Sequence, residues 1–474
     1  MTVLEFPTHP RLRNALSESS IFVHKFGGTS LGSAGAITSV SSLLEQFAGH
    51  QIAVVSAFSG VTNMLVESTR SPADEIVNKL RIRHHEILTG LIRDKRIDST
   101  FHSSFVIKLD ADLAKIAHCL EALVLTNGQV PDVFQALVWG FGEIWSAEIV
   151  AAVCRAPWIN AREFLFLRDA PGQVRIDWER SGEAWRRVSR QLIDCPIIIV
   201  TGFICSTDKN CPATLNRNGS DHSAAIIANL VDAALLTIWK EVDGAFSADP
   251  RQVKDAVMLD QLSYHEAAEL AYFGANVLHP ATMQPCVTKK IPIVIRNTFN
   301  QRAQGTLITN TACVAWTRPC KAFTTIPSTA LVNIEGSSMV GVKGTAVRVF
   351  QAAYKAGVNI VMITQASSEH SITIAVVKSE VDRCKKALDT AFFYEISEGN
   401  VSVTVDDHTA ILTAVGDDMA HQPGLLGRLA GALGHAGVSI RAIAQGASER
   451  NITFVVAADS ATAGILAMHD EIYC

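Results

Sequence analysis

The sequence predicts an α/β protein in which a mainly parallel sheet covered by helices is followed by two smaller α+β modules. In the first two-thirds of the 474 residues, short apolar runs alternate with amphipathic stretches, as strands and covering helices do. The last third repeats itself at an offset of 80 residues, which indicates two similar modules. A composition of 48% hydrophobic and 18% charged residues is typical of a globular protein with a sizeable core.

Five apolar runs are the candidate strands of the sheet, and each is followed within a few residues by Gly, Ser, Asp or Asn. They are Phe22–Phe26, Ile52–Ser56, Ile197–Phe203, Leu235–Trp239 and Ile291–Arg296. Because α/β proteins bind ligands at the carboxyl ends of parallel strands, the residues after these runs are the first candidates for a site. Between the strands, apolar residues at spacings of four and three predict one buried helix face, formed by Leu109, Leu113, Ile116, Leu120 and Leu123.

The strongest local signal lies where the first apolar run ends. Lys25 precedes the paired glycines Gly27 and Gly28, and the hydroxyl residues Thr29 and Ser30 follow. Glycines allow backbone N–H groups to come close to an anion, and the lysine adds a positive charge. The residue order differs from a Walker loop and from the three-glycine dinucleotide fingerprint. The stretch therefore predicts a phosphate-binding loop, with an ordinary glycine turn as the alternative.

Two further turns carry groups that could contact a ligand. The turn after Ile52–Ser56 contains Ser59 and Thr62, whose hydroxyls suit carboxylate or phosphate oxygens. Glu143 stands beside Gly140 and Gly142, where a carboxylate could bind a ligand amine or a metal-bound water. A plain turn is the alternative for Glu143.

A third constellation precedes the apolar helix predicted at Ala224–Leu230. Arg217, Ser220 and Asp221 stand there together, with a glycine between them. The guanidinium of an arginine can bind a carboxylate or phosphate through two parallel hydrogen bonds. Asp221 is either a catalytic residue or only the N-cap of the helix, since aspartate is common at that position.

The repeat aligns residues 356–373 with residues 436–453. Each copy predicts a helix that ends near Ala-Gly, a strand that leads to Gln365 or Gln445, a polar turn and a second strand. A glutamine amide both donates and accepts hydrogen bonds, which suits an amino-acid zwitterion. The alternative is a structural duplication in which the glutamines only cap a turn. Residues 298–327, rich in Thr, Gln, Asn, Gly and Pro, predict a linker, which gives domains at 1–297, 328–400 and 401–474.

The net charge and the cysteine pattern limit the kinds of partner and the cellular compartment that we expect. The formal net charge is −5 and no segment gathers lysines and arginines, so we expect a small-molecule partner and neither nucleic acid nor membrane. The ten cysteines include no Cys-x-x-Cys pair, which favours reduced thiols over disulfides or a zinc site. The first twenty residues lack a signal-peptide core, and no stretch is expected to span a membrane. A cytoplasmic location is therefore predicted.

Five motifs in order resemble those of the aspartokinases. They are His24–Ser30, Trp139–Glu143, Leu215–Asp221, Trp239–Arg251 and Glu269–Pro280. The paired repeats resemble the ACT domains that regulate these enzymes. The resemblance is greatest to the kinase half of threonine-sensitive bifunctional aspartokinase–homoserine dehydrogenases. No Gly-x-Gly-x-x-Gly follows a strand, so we expect no dehydrogenase half in this chain.

The resemblance implies the amino-acid-kinase fold and transfer of the ATP γ-phosphoryl group, with Mg²⁺, to the β-carboxylate of L-aspartate. This is the first step of lysine, threonine and methionine biosynthesis. An ionised carboxylate needs no general base, so catalysis would consist of positioning and charge stabilisation. The implied catalytic residues are Lys25, Arg217 and Asp221, and the implied aspartate-binding residues are Thr62, Glu143, Arg217 and Ser220. The implied ATP-binding residues are Lys25, Gly27, Gly28, Ser30, Lys240, Glu241, Phe246, Arg251, Asn276 and Val277, with no metal ligand among the side chains.

For the ACT pair, the resemblance implies an amino-acid effector, expected to be threonine, and a homodimer or homotetramer. The implied effector-binding residues are Asn359, Gln365 and Gln445. This chain departs from the usual aspartokinase residues at Asn216, in the turn beside Arg217, and on the nucleotide side at Lys240, Glu241, Phe246, Asn276 and Ala281. The alternative function is therefore a catalytically impaired amino-acid sensor that keeps the kinase fold.

Overall fold

The computed structural model describes most of the chain. The described residues are 20–47, 49–68, 73–124, 130–168, 175–192, 194–215, 218–275, 278–310, 316–336, 339, 344–365, 370–420 and 422–474. They form two compact units. The first contains residues up to Ala245, Asp260–Tyr264 and the residues from Leu278 to 310; the second contains Phe246–Leu259, the residues from His265 to 275 and those from 316 onward.

The first unit is built of strands and helices in alternation. Its strands are β1 (Ile21–Phe26), β2 (His50–Val55), β3 (Trp158–Ile159), β4 (Phe166–Arg168), β5 (Arg175–Ile176), β6 (Ile197–Thr201), β7 (Ile204–Thr207), β8 (Pro212–Thr214), β9 (Leu235–Lys240), β10 (Gln261–Ser263), β11 (Ile293–Asn297) and β12 (Thr306–Thr309). Its helices are α1 (Ala34–Leu44), α2 (Val61–Glu67), α3 (Ala73–Arg93), α4 (Ser99–Val124), α5 (Asp132–Trp139), α6 (Phe141–Cys154), α7 (Trp178–Ser189), α8 (Gly219–Leu230) and α10 (Pro280–Lys289). Helix α9 (Tyr264–Tyr272) begins in this unit and continues in the second.

An eight-stranded sheet forms the centre of the first unit, in the order β10-β12-β11-β9-β1-β2-β6-β3. All its pairs are parallel except β11 with β12. The five predicted strands are its middle five, in agreement with a mainly parallel sheet. Strand β1 lies in the centre, so Lys25 faces Val54 of β2 on one side and Ile238 of β9 on the other. Four further strands form a smaller sheet in the order β5-β4-β7-β8.

Helix α4 carries the predicted apolar face, and Leu109, Leu113, Ile116 and Leu120 are all buried in it. One apolar helical stretch, Asp132–Cys154, comprises α5 and α6. Its 23 residues are long and apolar enough to cross a membrane, although the sequence analysis expected no such stretch. Since 61% of its most apolar window is buried inside the fold, it is a core segment of the first unit.

The second unit consists mainly of two copies of one module. The first copy contains β13 (Ala322–Glu335), α11 (Thr345–Lys355), β14 (Ile360–Gln365), β15 (Ser371–Val377), α12 (Val381–Ala391) and α13 (Phe393–Ser397). The second contains β16 (Ser402–Val415), α14 (Leu425–His435), β17 (Ile440–Gln445), β18 (Asn451–Ala457) and α15 (Ala461–Tyr473). The corresponding strands and the starts of the corresponding helices lie 80 residues apart, as the repeat predicts.

The two copies share one six-stranded sheet, in the order β14-β15-β13-β16-β18-β17. Each copy packs its own helices on the sheet in a separate apolar core. A third core joins the copies through Leu331, Met362, Ile411 and Val455, and strands β14 and β17 lie against each other. The range predicted as a linker contains strand β12 and the start of β13, so only part of it connects elements. The domain boundaries themselves stay predictions.

Candidate active site

The carboxyl ends of β1, β2 and β6 bring three loops of the first unit together. A Cβ atom added to Gly28, after β1, would lie 3.0 Å from the carbonyl oxygen of Ala57, after β2. A Cβ added to Gly202, after β6, would lie 2.7 Å from the Cβ of Ser220 and 3.0 Å from the carbonyl oxygen of Val55. Both positions therefore require glycine because backbone or a buried side chain approaches closely.

A salt bridge between Lys25 and Asp221 lies at this edge of the sheet. Lys25 Nζ and Asp221 Oδ1 are 2.7 Å apart, and the two side chains are only 12% and 11% exposed. Helix α8 begins after Asn218, which adopts a left-handed conformation with φ 58°, so Asp221 lies in the first turn and is not the N-cap. Asparagine tolerates that conformation better than other non-glycine residues. The structure thus joins two predicted catalytic residues that are far apart in the sequence.

Lys240, at the carboxyl end of β9, extends this charged cluster. Burial lowers the pKa of its ammonium group, the Asp221 carboxylate raises it, the Lys25 ammonium lowers it and the Glu241 carboxylate raises it. Two cations and two carboxylates therefore interact electrostatically beside the glycine loop. The two ammonium groups are the members of this cluster that can bind an anionic ligand such as a phosphate group.

Thr29 and Ser30, which follow the glycines, both form side-chain hydrogen bonds within the fold. The hydroxyls of Ser30 and Thr298 lie 2.7 Å apart in a buried hydrogen bond, and the Thr29 hydroxyl donates to Glu241 Oε1 at 3.3 Å. The sequence did not predict the hydrogen bond between Ser30 and Thr298. Thr298 follows β11, and no local sequence pattern marks it as a partner. The loop is held to the ends of β9 and β11 by these two contacts.

Glu143 is a buried carboxyl group in the first turn of α6, 2% exposed. Its Oε1 atom accepts a hydrogen bond from the Ala57 backbone N–H at 3.3 Å, and its Oε2 atom has no partner within the described chain. Burial raises the pKa of Glu143 from 4.5 to about 8, although the Ala57 N–H and the Arg162 guanidinium both lower it. A buried carboxyl group with an unpaired oxygen is suited to bind a ligand ammonium group.

Arg162 also escaped the sequence analysis. Its guanidinium donates to the carbonyl oxygen of Ala136 at 2.6 Å and lies close enough to Glu143 to lower the pKa of that carboxyl group. A Cβ added to Gly140 would clash with this guanidinium, at 2.2 Å. The absence of a side chain at Gly140 therefore leaves space for the Arg162 guanidinium. This glycine has a packing role beside Glu143 and does not only form a turn.

Two of the remaining predicted substrate-binding residues lie in the first turns of helices, and the third, Arg217, lies outside the described residues. Thr62 is half-buried in the first turn of α2, which follows Gly60 at φ 84°. Ser220 is buried in the first turn of α8, against Gly202. Arg217, Asn276 and Val277 lie outside the described residues, as does Asn216.

Two predicted nucleotide-binding residues belong to the second unit. Phe246 is half-buried and forms an isolated β-bridge with Met258. Arg251 is 89% exposed and pairs with Asp249 at 2.7 Å. Their assignment to ATP stays a prediction.

The predicted effector residues lie at the ends of the two edge strands of the second unit. Gln365 ends β14 and Gln445 ends β17, and both are exposed. The backbone N–H of Asn359, just before β14, donates to Glu380 Oε2 at 3.0 Å. Among the described residues no group of three or more His, Cys, Asp and Glu side chains could hold a metal ion.

Comparison with known proteins identifies the family. The model of the amino acid kinase family matches residues 20–297, which include every element that carries the charged cluster and Glu143. The chain belongs to the amino acid kinase family. A model of the ACT domain matches residues 332–392 and 412–472, the two copies of the repeat.

The most informative relatives are aspartokinases. Over 472 residues the chain is 40% identical to the chloroplastic bifunctional aspartokinase/homoserine dehydrogenase 1 of Arabidopsis thaliana, a match that covers 95% of this chain and 51% of the relative. It is 27% identical to the lysine-sensitive aspartokinase 3 of Escherichia coli, covering 96% of this chain and 100% of the relative. A crystal structure of E. coli aspartokinase III in complex with aspartate and ADP superimposes with a TM-score of 0.79 at 26% identity, covering 96% of this chain and 100% of that one.

The comparisons support the predicted fold class and the resemblance to aspartokinases. The chain spans about half the length of the bifunctional relative from Arabidopsis thaliana. Because that relative is chloroplastic by name, the cytoplasmic location stays a prediction.

Proposed function

We propose that the chain is an aspartate kinase, which transfers the γ-phosphoryl group of ATP to the β-carboxylate of L-aspartate and yields 4-phospho-L-aspartate and ADP. The observation that carries the proposal is the buried pair of Lys25 and Asp221 beside the glycine loop, with Lys240 in electrostatic reach. The aspartokinase III structure with aspartate and ADP adds support, because that protein shares the fold over its whole length.

In the proposed reaction a β-carboxylate oxygen attacks the γ-phosphorus while the bond to the β-phosphate oxygen breaks and ADP leaves. The carboxylate is already ionised, so no side chain needs to remove a proton. Lys25 and Lys240 stabilise negative charge on the transferred group, and the backbone of Gly27 and Gly28 allows the phosphates to come close. Asp221 holds Lys25 at the site before the nucleotide binds.

Mg²⁺ would enter with the phosphates of ATP. The described residues offer no cluster of protein ligands for a resident ion. The ion would neutralise phosphate charge, and the protein would contribute the position of Lys25 and the loop.

Glu143 would bind the α-ammonium group of aspartate. Its unpaired Oε2 is buried, so an ammonium group that pairs with it recovers the free energy that burial of the carboxylate costs. Thr62 and Ser220 would contact substrate oxygens, and Arg217 would bind the α-carboxylate through a bidentate pair.

An assay with hydroxylamine tests the proposal, because hydroxylamine converts an acyl phosphate to a stable hydroxamate. We expect the purified chain to form hydroxamate only when ATP, Mg²⁺ and L-aspartate are all present, and L-glutamate to replace aspartate poorly. The alternative, a catalytically impaired sensor, predicts no hydroxamate together with tight binding of an amino acid. Absence of hydroxamate at saturating ATP and aspartate would therefore exclude the kinase activity of this chain.

We further propose that the two ACT copies bind an amino-acid effector, threonine, and join two chains. Strands β14 and β17 end the six-stranded sheet and carry the exposed Gln365 and Gln445. Ile363 of β14 and Ile443 of β17 are 47% and 38% exposed, and a second copy can cover such apolar side chains. Calorimetry with threonine and lysine, together with the molar mass in solution with and without each, tests both parts. A monomer that binds neither amino acid would contradict them.

A further inference from the structure

The bend that follows strand β11 lies at the same edge of the large sheet as the glycine loop. Strand β9 lies between β11 and β1, and Asn297, the last residue of β11, is paired with Lys240, the last residue of β9. Neighbouring strands are about 4.8 Å apart, so roughly 10 Å separates the ends of β11 and β1. A side-chain contact between these two ends therefore spans the end of β9.

Thr298, the first residue after β11, makes this contact. Its hydroxyl lies 2.7 Å from the Ser30 hydroxyl, and both residues are 2% exposed. Its backbone N–H donates to the carbonyl oxygen of Lys240 at 2.8 Å. One residue is thus hydrogen-bonded both to the glycine loop and to the end of β9, the two segments that carry the proposed phosphate-binding groups.

The neighbours of Thr298 hold the residues that follow β9. The Asn297 amide donates to the Glu241 carbonyl oxygen at 3.3 Å and to Asp243 Oδ1 at 2.8 Å. The Asn300 amide donates to both carboxylate oxygens of Asp243, at 3.0 and 3.1 Å. The bend after β11 therefore binds the chain beyond β9 through several side-chain hydrogen bonds.

A layer of large buried side chains supports these strand ends. Phe26, Trp239 and Arg296 occupy paired positions of β1, β9 and β11, and each is at most 5% exposed. The rings of Phe26 and Trp239 are stacked with their centroids 5.9 Å apart, and the Arg296 guanidinium lies over the Trp239 ring at 5.2 Å. Because buried side chains in close contact have little freedom to move, this layer gives Thr298 a fixed position.

The hydrogen bond also bears on the orientation of the Ser30 hydroxyl. Either hydroxyl of the pair can donate, and when Thr298 donates, the Ser30 proton stays available for a phosphate oxygen. Without the Thr298 hydroxyl, the buried Ser30 hydroxyl would lose this partner, which is unfavourable for a buried polar group. The pair therefore matters for both the place and the direction of Ser30.

We propose that Thr298 is a positioning residue for the nucleotide. By holding the glycine loop to the end of β9, it keeps Ser30 and Lys240 in the arrangement that binds the phosphates of ATP. Thr298 acts through Ser30 and does not itself contact the nucleotide. This role rests on the proposed kinase function, and it falls to a residue that lies outside the five motifs and inside the range predicted as a linker.

Isothermal titration calorimetry of the full chain with ADP and Mg²⁺ measures this role without turnover. Thr298→Val removes the hydroxyl and keeps the shape of the side chain, whereas Thr298→Ser keeps the hydroxyl. We expect Thr298→Val to raise the Kd for ADP about three- to tenfold, the effect of one lost hydrogen bond, and Thr298→Ser to keep nearly the parent Kd. Thr329→Val is the matched control, because Thr329 forms a buried hydroxyl pair with Thr409 in the second unit, at 3.0 Å, and should leave the Kd unchanged.

A double-mutant cycle with Ser30→Ala separates positioning from a general loss of stability. If Thr298 acts through Ser30, Thr298→Val should weaken ADP binding little further in a chain that already carries Ser30→Ala. In the hydroxamate assay, Thr298→Val should raise the KM for ATP and leave that for aspartate nearly unchanged. A purely structural defect would not distinguish the two substrates.

The positioning role is overturned if the parent binds ADP and Thr298→Val binds it equally well, or if Thr298→Ser is as weak as Thr298→Val. Additive effects of Thr298→Val and Ser30→Ala, or an equal rise of both KM values, would also overturn it. A parent chain that does not bind ADP would instead contradict the proposed kinase function itself. Circular dichroism establishes that each variant is folded, and Thr298→Ala, which also lacks the hydroxyl, takes the place of Thr298→Val if that variant does not fold.

Discussion

Replacement of Glu143 by glutamine is expected to stabilise the protein and to do so increasingly as the pH rises. The carboxyl group is buried and its pKa in the folded protein is raised to about 8 from 4.5. Between these two values the unfolded chain has lost the proton and the folded chain retains it. Unfolding therefore releases a proton, and the stability of the parent protein falls as the pH rises through this window.

The magnitude follows from the two pKa values. Compared with a pH at which Glu143 is protonated in both states, the free energy of unfolding of the parent is lower by about 1 kcal/mol at pH 5. At pH 7 it is lower by about 3 kcal/mol. Glutamine resembles the protonated carboxyl group and cannot ionise, and its amide oxygen can still accept the Ala57 N–H that Glu143 accepts now. The advantage of Glu143→Gln in the free energy of unfolding should thus grow by about 2 kcal/mol between these pH values.

Urea denaturation of the parent and the variant at pH 5, 6 and 7, without ligands, measures this difference. Glu121→Gln is the matched control, since Glu121 is exposed on α4 and the chemical change is the same. The variant should also bind aspartate weakly, because the carboxylate that would pair with the substrate ammonium is gone. A stability difference that does not change with pH would refute the burial of a protonated Glu143.

Five further variants test the other proposed roles and the buried ion pair of the second unit. Lys25→Ala should lower the rate of phosphoryl transfer about 10²- to 10³-fold in a folded protein, and a rate within a few-fold of the parent would remove Lys25 from the site. Arg217→Lys should raise the KM for aspartate and leave that for ATP nearly unchanged, whereas an equal rise for both would place Arg217 on the phosphates. Gln365→Ala or Gln445→Ala should keep the uninhibited rate and require more threonine for inhibition; an unchanged inhibition curve would show that the amides do not bind the effector. Lys321→Met leaves Glu266 buried without the partner that lies 2.9 Å away, at exposures of 1% and 0%, and should cost about 3–5 kcal/mol in urea denaturation. A cost below about 1 kcal/mol would contradict the buried ion pair.

The elements that the sequence predicted well are those with a repeated local pattern. The five middle strands of the large sheet contain three or four apolar residues each, and the buried residues of α4 from Leu109 to Leu120 show helical spacing. The duplicated module is visible because its two copies keep the same residues at the same offset. In contrast, the short strands β7, β8, β10 and β12 have three or four residues each, too few for a period to emerge.

The site was predicted less completely because its contacts join distant residues. Asp221 was open to interpretation as an N-cap until the structure placed its carboxylate against Lys25, 196 positions earlier. Helix α8 also begins at Gly219, before the predicted Ala224, because polar residues form its first turn. No local sequence pattern predicts the raised pKa of Glu143, because burial in the folded chain causes it. The hydrogen bond of Ser30 with Thr298 is equally hidden, because folding brings these two distant residues together.

The most direct test of the proposed kinase activity follows an oxygen atom of the substrate. L-Aspartate labelled with ¹⁸O only in its β-carboxylate is incubated with the chain, ATP, Mg²⁺ and hydroxylamine, and the released inorganic phosphate is analysed by mass spectrometry. Attack of hydroxylamine on the acyl carbon expels phosphate that carries the former carboxylate oxygen. We predict one ¹⁸O atom in each phosphate released with hydroxamate. Unlabelled phosphate would show transfer to water, and together with an absence of hydroxamate it would contradict phosphoryl transfer to the β-carboxylate.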